Sequence, residues 1–93
     1  MKLTFEWDPE KAAENLAKHG VSFSEASTCF LDAESLTIHD PEHSETEDRY
    51  VLLGMSAKGR LLVVIHTERG DNIRLISARS ANRRETAKYS QTQ

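Results

Sequence analysis

Apolar residues along the chain fall into short runs whose spacing changes from one segment to the next. Leu3-Thr4-Phe5-Glu6-Trp7 alternates and is rich in β-formers, which predicts a short strand. Asp8-Pro9 then supplies a helix N-cap and a first helical residue. The helix runs to about Lys18, with Ala12, Ala13, Leu16 and Ala17 as its apolar stripe and Lys11, Asn15 and Lys18 on another face. Gly20 suits the left-handed position beyond the helix end, so that Val21 packs back on Leu16. Ser22-Phe23-Ser24-Glu25 has the form of a capping box. It opens a second helix that turns Phe23, Ala26 and Phe30 to one side and stops near Asp32. So short a connection predicts a tight αα-hairpin.

The second half reads differently. Ser35–His39 is a strand, and residues 39–48, HDPEHSETED, form a solvated acidic loop broken by Pro41. Three runs rich in Val, Ile and Leu follow, Arg49–Met55, Arg60–Glu68 and Ile73–Ala78. The Gly-containing links 56–59 and 69–72 predict hairpins, and the whole predicts an antiparallel β-meander. Residues Ser80–Tyr89 predict a last helix with Ser80 near its N-cap and a weak apolar face. Strict alternation assigns Leu62, Val64, His66 and Glu68 to one face of their strand, and Leu61, Val63 and Ile65 to the other. In the last strand it groups Ile73, Leu75, Ser77 and Arg79, opposite Arg74, Ile76 and Ala78. The central strand is apolar on both faces, so helices are expected over one side and part of the other. The fold class is α+β: a helical hairpin on a small antiparallel sheet, with a C-terminal helix, in one domain spanning residues 1–93.

Ninety-three residues bury a thin core, which leaves modest stability and room for a partner to add to it. No apolar run approaches the ~20 residues of a membrane span. The start lacks the long apolar stretch of a secretory signal, and the single Cys29 excludes an internal disulfide. A cytoplasmic protein with no membrane association is expected, with Cys29 as a buried, inert thiol.

The formal net charge of −3 conceals a division. Residues 1–48 carry three lysines and no arginine against twelve carboxylates, whereas residues 49–93 carry nine basic side chains against Glu68, Asp71 and Glu85. Seven of the nine are arginines, whose planar fork suits phosphate. Either the basic half forms a polyanion site, or the acidic half simply neutralises it; composition leaves both open. His66, among apolar neighbours, reads as a core histidine. His39, Asp40, Glu42, His43, Glu45 and Glu47 match no defined ligand spacing, so no metal or organic cofactor is expected.

Two stretches carry a family resemblance. The first is Phe5-Glu6-Trp7-Asp8, Lys11, Asn15, Lys18-His19-Gly20-Val21-Ser22-Phe23 and Glu25-Ala26. The second is Arg60-Leu61-Leu62-Val63-Val64, Thr67-Glu68-Arg69-Gly70 and Ile73–Arg79, followed by Ala81, Arg83-Arg84-Glu85 and Tyr89. In this order and spacing they resemble the BrnT toxins of type II toxin–antitoxin systems. The resemblance covers nearly the whole chain, the loop 39–48 and the last few residues excepted. It implies a RelE-like fold and an endoribonuclease that blocks translation. It also implies a ribbon-helix-helix antitoxin of the BrnA kind, in a complex that represses its own operon through DNA contacts made mainly by the antitoxin. A homodimer or a heterotetramer fits such a complex.

RNA carries its own nucleophile, the 2′-hydroxyl. Cleavage then needs a base, cations for the charge on the phosphate, and an acid for the leaving 5′-oxygen. His19 carries an imidazole, the side-chain type suited to moving protons at neutral pH, and is the first choice for acid or base; capping the helix end is its alternative. Arg69 and Arg79 are the choices for transition-state charge. Glu85 is either a base or a group that holds an arginine. Lys11, Lys18, Arg60, Arg74 and Arg83 are expected to bind RNA, and Tyr89 either stacks a base or packs. All this requires the guanidinium groups to gather into one patch beside the end of the first helix. The alternatives are a non-catalytic antitoxin ligand or co-repressor, and a plain nucleic-acid binder.

Overall fold

The computed structural model describes residues 3–43 and 47–91, and Glu45 of the acidic loop lies outside them. The elements run β1 (Thr4–Glu6), α1 (Pro9–His19), α2 (Phe23–Thr28), a 3-10 turn (Cys29–Leu31), β2 (Leu36–Asp40), a 3-10 turn (Pro41–His43), β3 (Arg49–Met55), β4 (Leu61–Arg69), β5 (Asn72–Ser80) and α3 (Arg83–Ser90). The strands form one sheet in the order β1-β5-β4-β3-β2. From β2 to β5 each strand is antiparallel to the next, the expected meander. The sheet is nevertheless mixed, because β1 lies parallel to the first three residues of β5, Asn72 to Arg74.

Local signals set the helix ends. Asp8 accepts from the Glu10 amide at 2.8 Å, Ser22 accepts from the Glu25 amide at 3.0 Å, and Gly20 takes the left-handed conformation at φ 69°. α3 starts later than its sequence suggests. Ser80 is still paired in β5 with Leu62, and Asn82 is the cap, in a reciprocal box with Glu85.

Val21, Phe23, Ala26 and Cys29 pack on Leu52, Leu62, Val64, Leu75 and Ala78, so the α1–α2 segment covers one face of the sheet, the inner face. Phe5 meets Phe30 and Trp7 meets Phe23 edge to face. Cys29 is buried there and its thiol is pushed up to about 12 by burial, so it stays protonated. Tyr89 and Ala81 cover part of the outer face, packed with Leu53, Val63, Val51 and Leu61.

α1 does not bury the stripe its spacing suggests. Leu16 is 52% exposed and Ala13 and Ala17 are exposed, whereas Asn15 is buried. Beyond Glu6 no strand continues along β5, which leaves the N–H and C=O of Ala78 at an open edge. The Asn15 amide takes both, at 3.0 and 2.8 Å, and also donates to the Val21 carbonyl at 2.9 Å. One side chain thus replaces a missing strand. An amide can do this because it offers a donor and an acceptor side by side.

Candidate functional site

Alternation along β5 breaks at one point. His66 pairs with Leu75 and Ile65 with Ser77, so Ile76 is an extra residue, a β-bulge. An added residue reverses the faces of everything after it. Leu75 and Ala78 therefore both enter the inner core, while Ser77 and Arg79 turn outward with Arg74. Alternation had put Arg74 and Arg79 on opposite faces; the bulge puts them on the same one. Arg69, Thr67, Ile65 and Val63 of β4 share this outer face, as do Arg49 and Val51 of β3.

The arginines of the outer face form two groups. At one end, Arg69 makes a two-pronged contact with Glu47, 2.9 Å on each prong, and Arg74 donates to Glu6 at 2.8 Å. Arg69 holds the Glu47 carboxyl below its usual range, helped by the charges of Arg74 and Arg49. Asn72 and Arg74 do the same for Glu6. At the other end, Arg79 grips Glu85 with both guanidinium nitrogens at 2.8 Å. Glu85 is lowered by Arg79 and also accepts from the Asn82 amide at 2.9 Å. Arg79 is the neighbour of Val63, four residues along β4 from the Arg74 partner Thr67 and six from Arg69, so about 13 Å separates Arg79 from Arg74 and about 20 Å from Arg69 along the strands. Between them lie Ile65 and Ser77, with a cleft beside α3 that Ile38, Val51, Leu53, Val63, Glu85 and Lys88 line.

The other expected site residues lie elsewhere. Lys11, Lys18 and His19 are exposed and share a shallow pocket with Asn15, Ile76 and Ser77, at the β5 edge. The end of α1 is therefore next to Ser77, two residues from Arg79 on the same face. Arg60 points the other way. It is bound to Glu25 by Nε at 2.9 Å and by Nη2, and to the Gly20 carbonyl at 3.0 Å. Glu25 is only 2% exposed, accepts from Ser56 at 2.8 Å and is lowered to about 2, chiefly by Arg60. Arg83 is exposed at the start of α3. Tyr89 is 6% exposed and its hydroxyl donates to Asp32 at 2.6 Å, which ties α3 to the body. Asp32 also accepts from the Met55 and Glu34 amides; burial raises its carboxyl, and these hydrogen bonds outweigh that and lower it.

His66 is 4% exposed between the rings of Phe30 and Tyr50, and burial lowers its pKa. Among the described residues no three His, Cys, Asp or Glu side chains gather as ligands would, and no helix is long and apolar enough to cross a membrane.

Three residues of this face are not among the expected site residues. Arg49 reads as one of the strand-end arginines, and Glu47 as one acid of a loop without ligand spacing. Thr67 is 2% exposed, and its hydroxyl is the one buried side-chain oxygen or nitrogen among the described residues that has no hydrogen-bond partner. Such a group costs about 1–3 kcal/mol. A threonine in a β-rich run carries no signal of this; only the register across three strands does.

A family model described as the ribonuclease toxin BrnT of type II toxin–antitoxin systems matches residues 7–85, which span both arginine groups. The chain belongs to the BrnT family. Its fold is similar to that of the Brucella abortus ribonuclease toxin BrnT, known from a crystal structure, with a TM-score of 0.65 and 26% identity over 88% of this chain and 100% of that one. No curated protein matches the sequence. Members of the BrnT family are ribonuclease toxins and act as one half of a toxin–antitoxin pair. For such a protein the relevant surface is one that takes an RNA backbone, and the outer face carries four arginines, Arg49, Arg69, Arg74 and Arg79, from three adjacent strands.

Proposed function

We propose that this chain is an endoribonuclease with a RelE-like fold, that it cleaves RNA through the 2′-hydroxyl without a metal or organic cofactor, and that a BrnA-like ribbon-helix-helix antitoxin neutralises it. The observation that carries this reading is the bulge at Ile76, which turns Arg79 outward onto the face of Arg74, Arg69 and Arg49.

A single strand of RNA runs along that face. Arg79 takes the scissile phosphate, and Glu85 holds its guanidinium in a fixed orientation. A carboxylate kept ionised by that arginine is a poor base, so Glu85 serves to position Arg79. With Nη1 and Nη2 on Glu85 and Nη1 also on the Ser80 carbonyl, Arg79 offers its Nε–Nη2 edge to the charge that develops on the phosphorane, and alignment in advance is what lowers a barrier. His19 moves the proton, from the pocket at the β5 edge beside Ser77. Lys11 and Lys18 hold the phosphate on that side, and Arg83 extends the cationic track along α3. Arg69 and Arg74 are too far from Arg79 to act on the same phosphate, and bind the backbone several nucleotides away. The apolar cleft of Ile38, Val51 and Leu53 beside Glu85 offers a base a dry surface. Arg60 and Tyr89 are occupied with Glu25 and Asp32, which supports structural roles for both.

The test is RNA cleavage by the purified chain in EDTA. The wild type is expected to leave 2′,3′-cyclic phosphate ends and, when induced without an antitoxin, to arrest growth. Arg79→Ala is expected to lower the cleavage rate about 10²–10³-fold. A wild type that binds its antitoxin but leaves RNA intact overturns the proposal in favour of a non-catalytic co-repressor. That second reading draws on the carboxylate already present on each of Arg60, Arg69, Arg74 and Arg79.

A further inference from the structure

One row of residues crosses all five strands on the outer face. The register aligns Asp40, Arg49, Thr67, Arg74 and Glu6 from β2 to β1, an acid at each end, arginines inside them and a threonine at the centre. Cross-strand neighbours on one face hold their Cβ atoms about 5 Å apart, so Arg49 and Arg74 flank Thr67 directly. Arg69 is two residues along β4 on the same face and closes a third side. Glu47 is the carboxylate held there, on Arg69 and within the field of Arg74 and Arg49. The floor is the Thr67 hydroxyl, buried and without a hydrogen-bond partner.

We infer that Thr67, Arg49, Arg69 and Arg74 form a phosphodiester subsite separate from the cleavage centre, and that Glu47 occupies it in the free protein as an internal substitute for the phosphate. Ribonuclease action identifies the anion, so the inference rests on that reading. Three observations carry it. The two-pronged contact of Glu47 with Arg69 is the geometry a phosphate takes with the same fork. Glu47 belongs to no strand and its side chain is 39% exposed, whereas Glu6 is fixed in β1 and shared with Asn72. Glu47 is therefore the carboxylate that can leave. A phosphate has more oxygens than a carboxylate, and one of them can accept from the Thr67 hydroxyl that Glu47 leaves unused.

The consequence is a self-limited RNA affinity. Each backbone that binds must first displace Glu47, which holds the free toxin below the affinity that its arginines alone would give.

The test uses a fluorescein-labelled single-stranded DNA oligonucleotide, which has the phosphodiester but no 2′-hydroxyl and so reports binding without cleavage. Glu47→Gln is expected to tighten binding about threefold to tenfold. Thr67→Val, which removes only the hydroxyl, is expected to weaken binding by a similar factor while raising the urea midpoint, because a desolvated hydroxyl is gone. A purely structural threonine would give the gain in stability with unchanged binding, and that result overturns the proposal. So does unchanged or weaker binding by Glu47→Gln. If both affinities shift as expected while wild-type chain leaves RNA uncut, the ribonuclease reading falls and the anion subsite stands. If RNA is cut and neither affinity moves, the subsite alone falls.

Discussion

Arg60 and Arg69 bracket the same strand, one just before β4 and one at its last residue, and each is gripped by a carboxylate from the acidic half of the chain. The arginines are similarly exposed, at 41% and 48%. Their partners are not: Glu25 is 2% exposed and Glu47 is 39%. Glu25 sits on a helix packed into the core and accepts from Arg60 and Ser56 together, so breaking its pair strands a charge in a dry place. Glu47 gives up its pair and meets water. Two ion pairs drawn identically thus do opposite jobs. One fastens the helical segment to the sheet, and the other, on the function proposed above, keeps a guanidinium in readiness for a phosphate. On that reading, burial of the acid, not the presence of a partner, separates a structural arginine from a binding one.

The sharpest way to break this comparison is to strand the buried acid. Arg60→Ala leaves the Glu25 carboxylate in its buried place with only the Ser56 hydroxyl donating to it. It is expected to cost about 3–5 kcal/mol, the range for breaking a buried pair. Total stability of a domain is only about 5–15 kcal/mol, so the variant should be near unfolding at 37 °C, as read by urea titration. A loss below about 1 kcal/mol would put Glu25 in the same class as Glu47 and end the distinction.

Acid titration tests the same contrast without a mutation. The Glu25 carboxyl is lowered from 4.5 to about 2 in the folded chain. A depressed acid contributes stability that is complete above its unfolded value and lost as pH falls through the folded one. Stability should therefore decline from about pH 4.5 towards pH 2. Glu25→Gln should start lower and flatten that decline. His66 acts in the same direction at a higher pH. Its pKa lies below 6.5 when folded, because it is buried between Phe30 and Tyr50, so protonation below about pH 6.5 favours the unfolded chain. Urea midpoints at pH 7.5, 5.5 and 3.5 separate the two windows.

Much of the fold could be read from local signals. The caps at Asp8 and Ser22, the glycine at position 20 and the β-rich runs act over four or five residues, and they hold in the structure. What could not be read depends on contacts far apart in sequence. Asn15 looked like part of a polar stripe because nothing nearby reveals that β1 ends before Ala78 and leaves its edge open. The parallel return of β1 is equally invisible, since a strand of three residues carries no mark of its neighbour. The site suffered most from the bulge. Alternation is right on either side of Ile76 and wrong across it, so it assigns Arg74 and Arg79 to opposite faces although they share one, in two separate groups. Charge asymmetry pointed to the half of the chain that supplies the outer-face arginines. Only the register shows that Arg49, Arg69 and Arg74 neighbour Thr67 on one face while Arg60 faces away.

The smallest effect should come from the exposed pair. Glu47→Gln keeps the shape of the side chain and removes its charge. An exposed pair contributes about 0–1 kcal/mol, because each partner regains water when the other leaves. Neutralising Glu47 also leaves Arg49, Arg69 and Arg74 to repel one another, but at a face where solvent and salt screen them, so the loss stays small. The variant should share the wild-type urea midpoint in about 0.15 M salt, and fall below it as salt is lowered, because the uncovered arginines are then least screened. The salt dependence decides the matter. A clear drop in the midpoint that salt does not change would mean that Glu47 is held as firmly as Glu25. An arginine so tightly engaged would have no fork left to offer a phosphate.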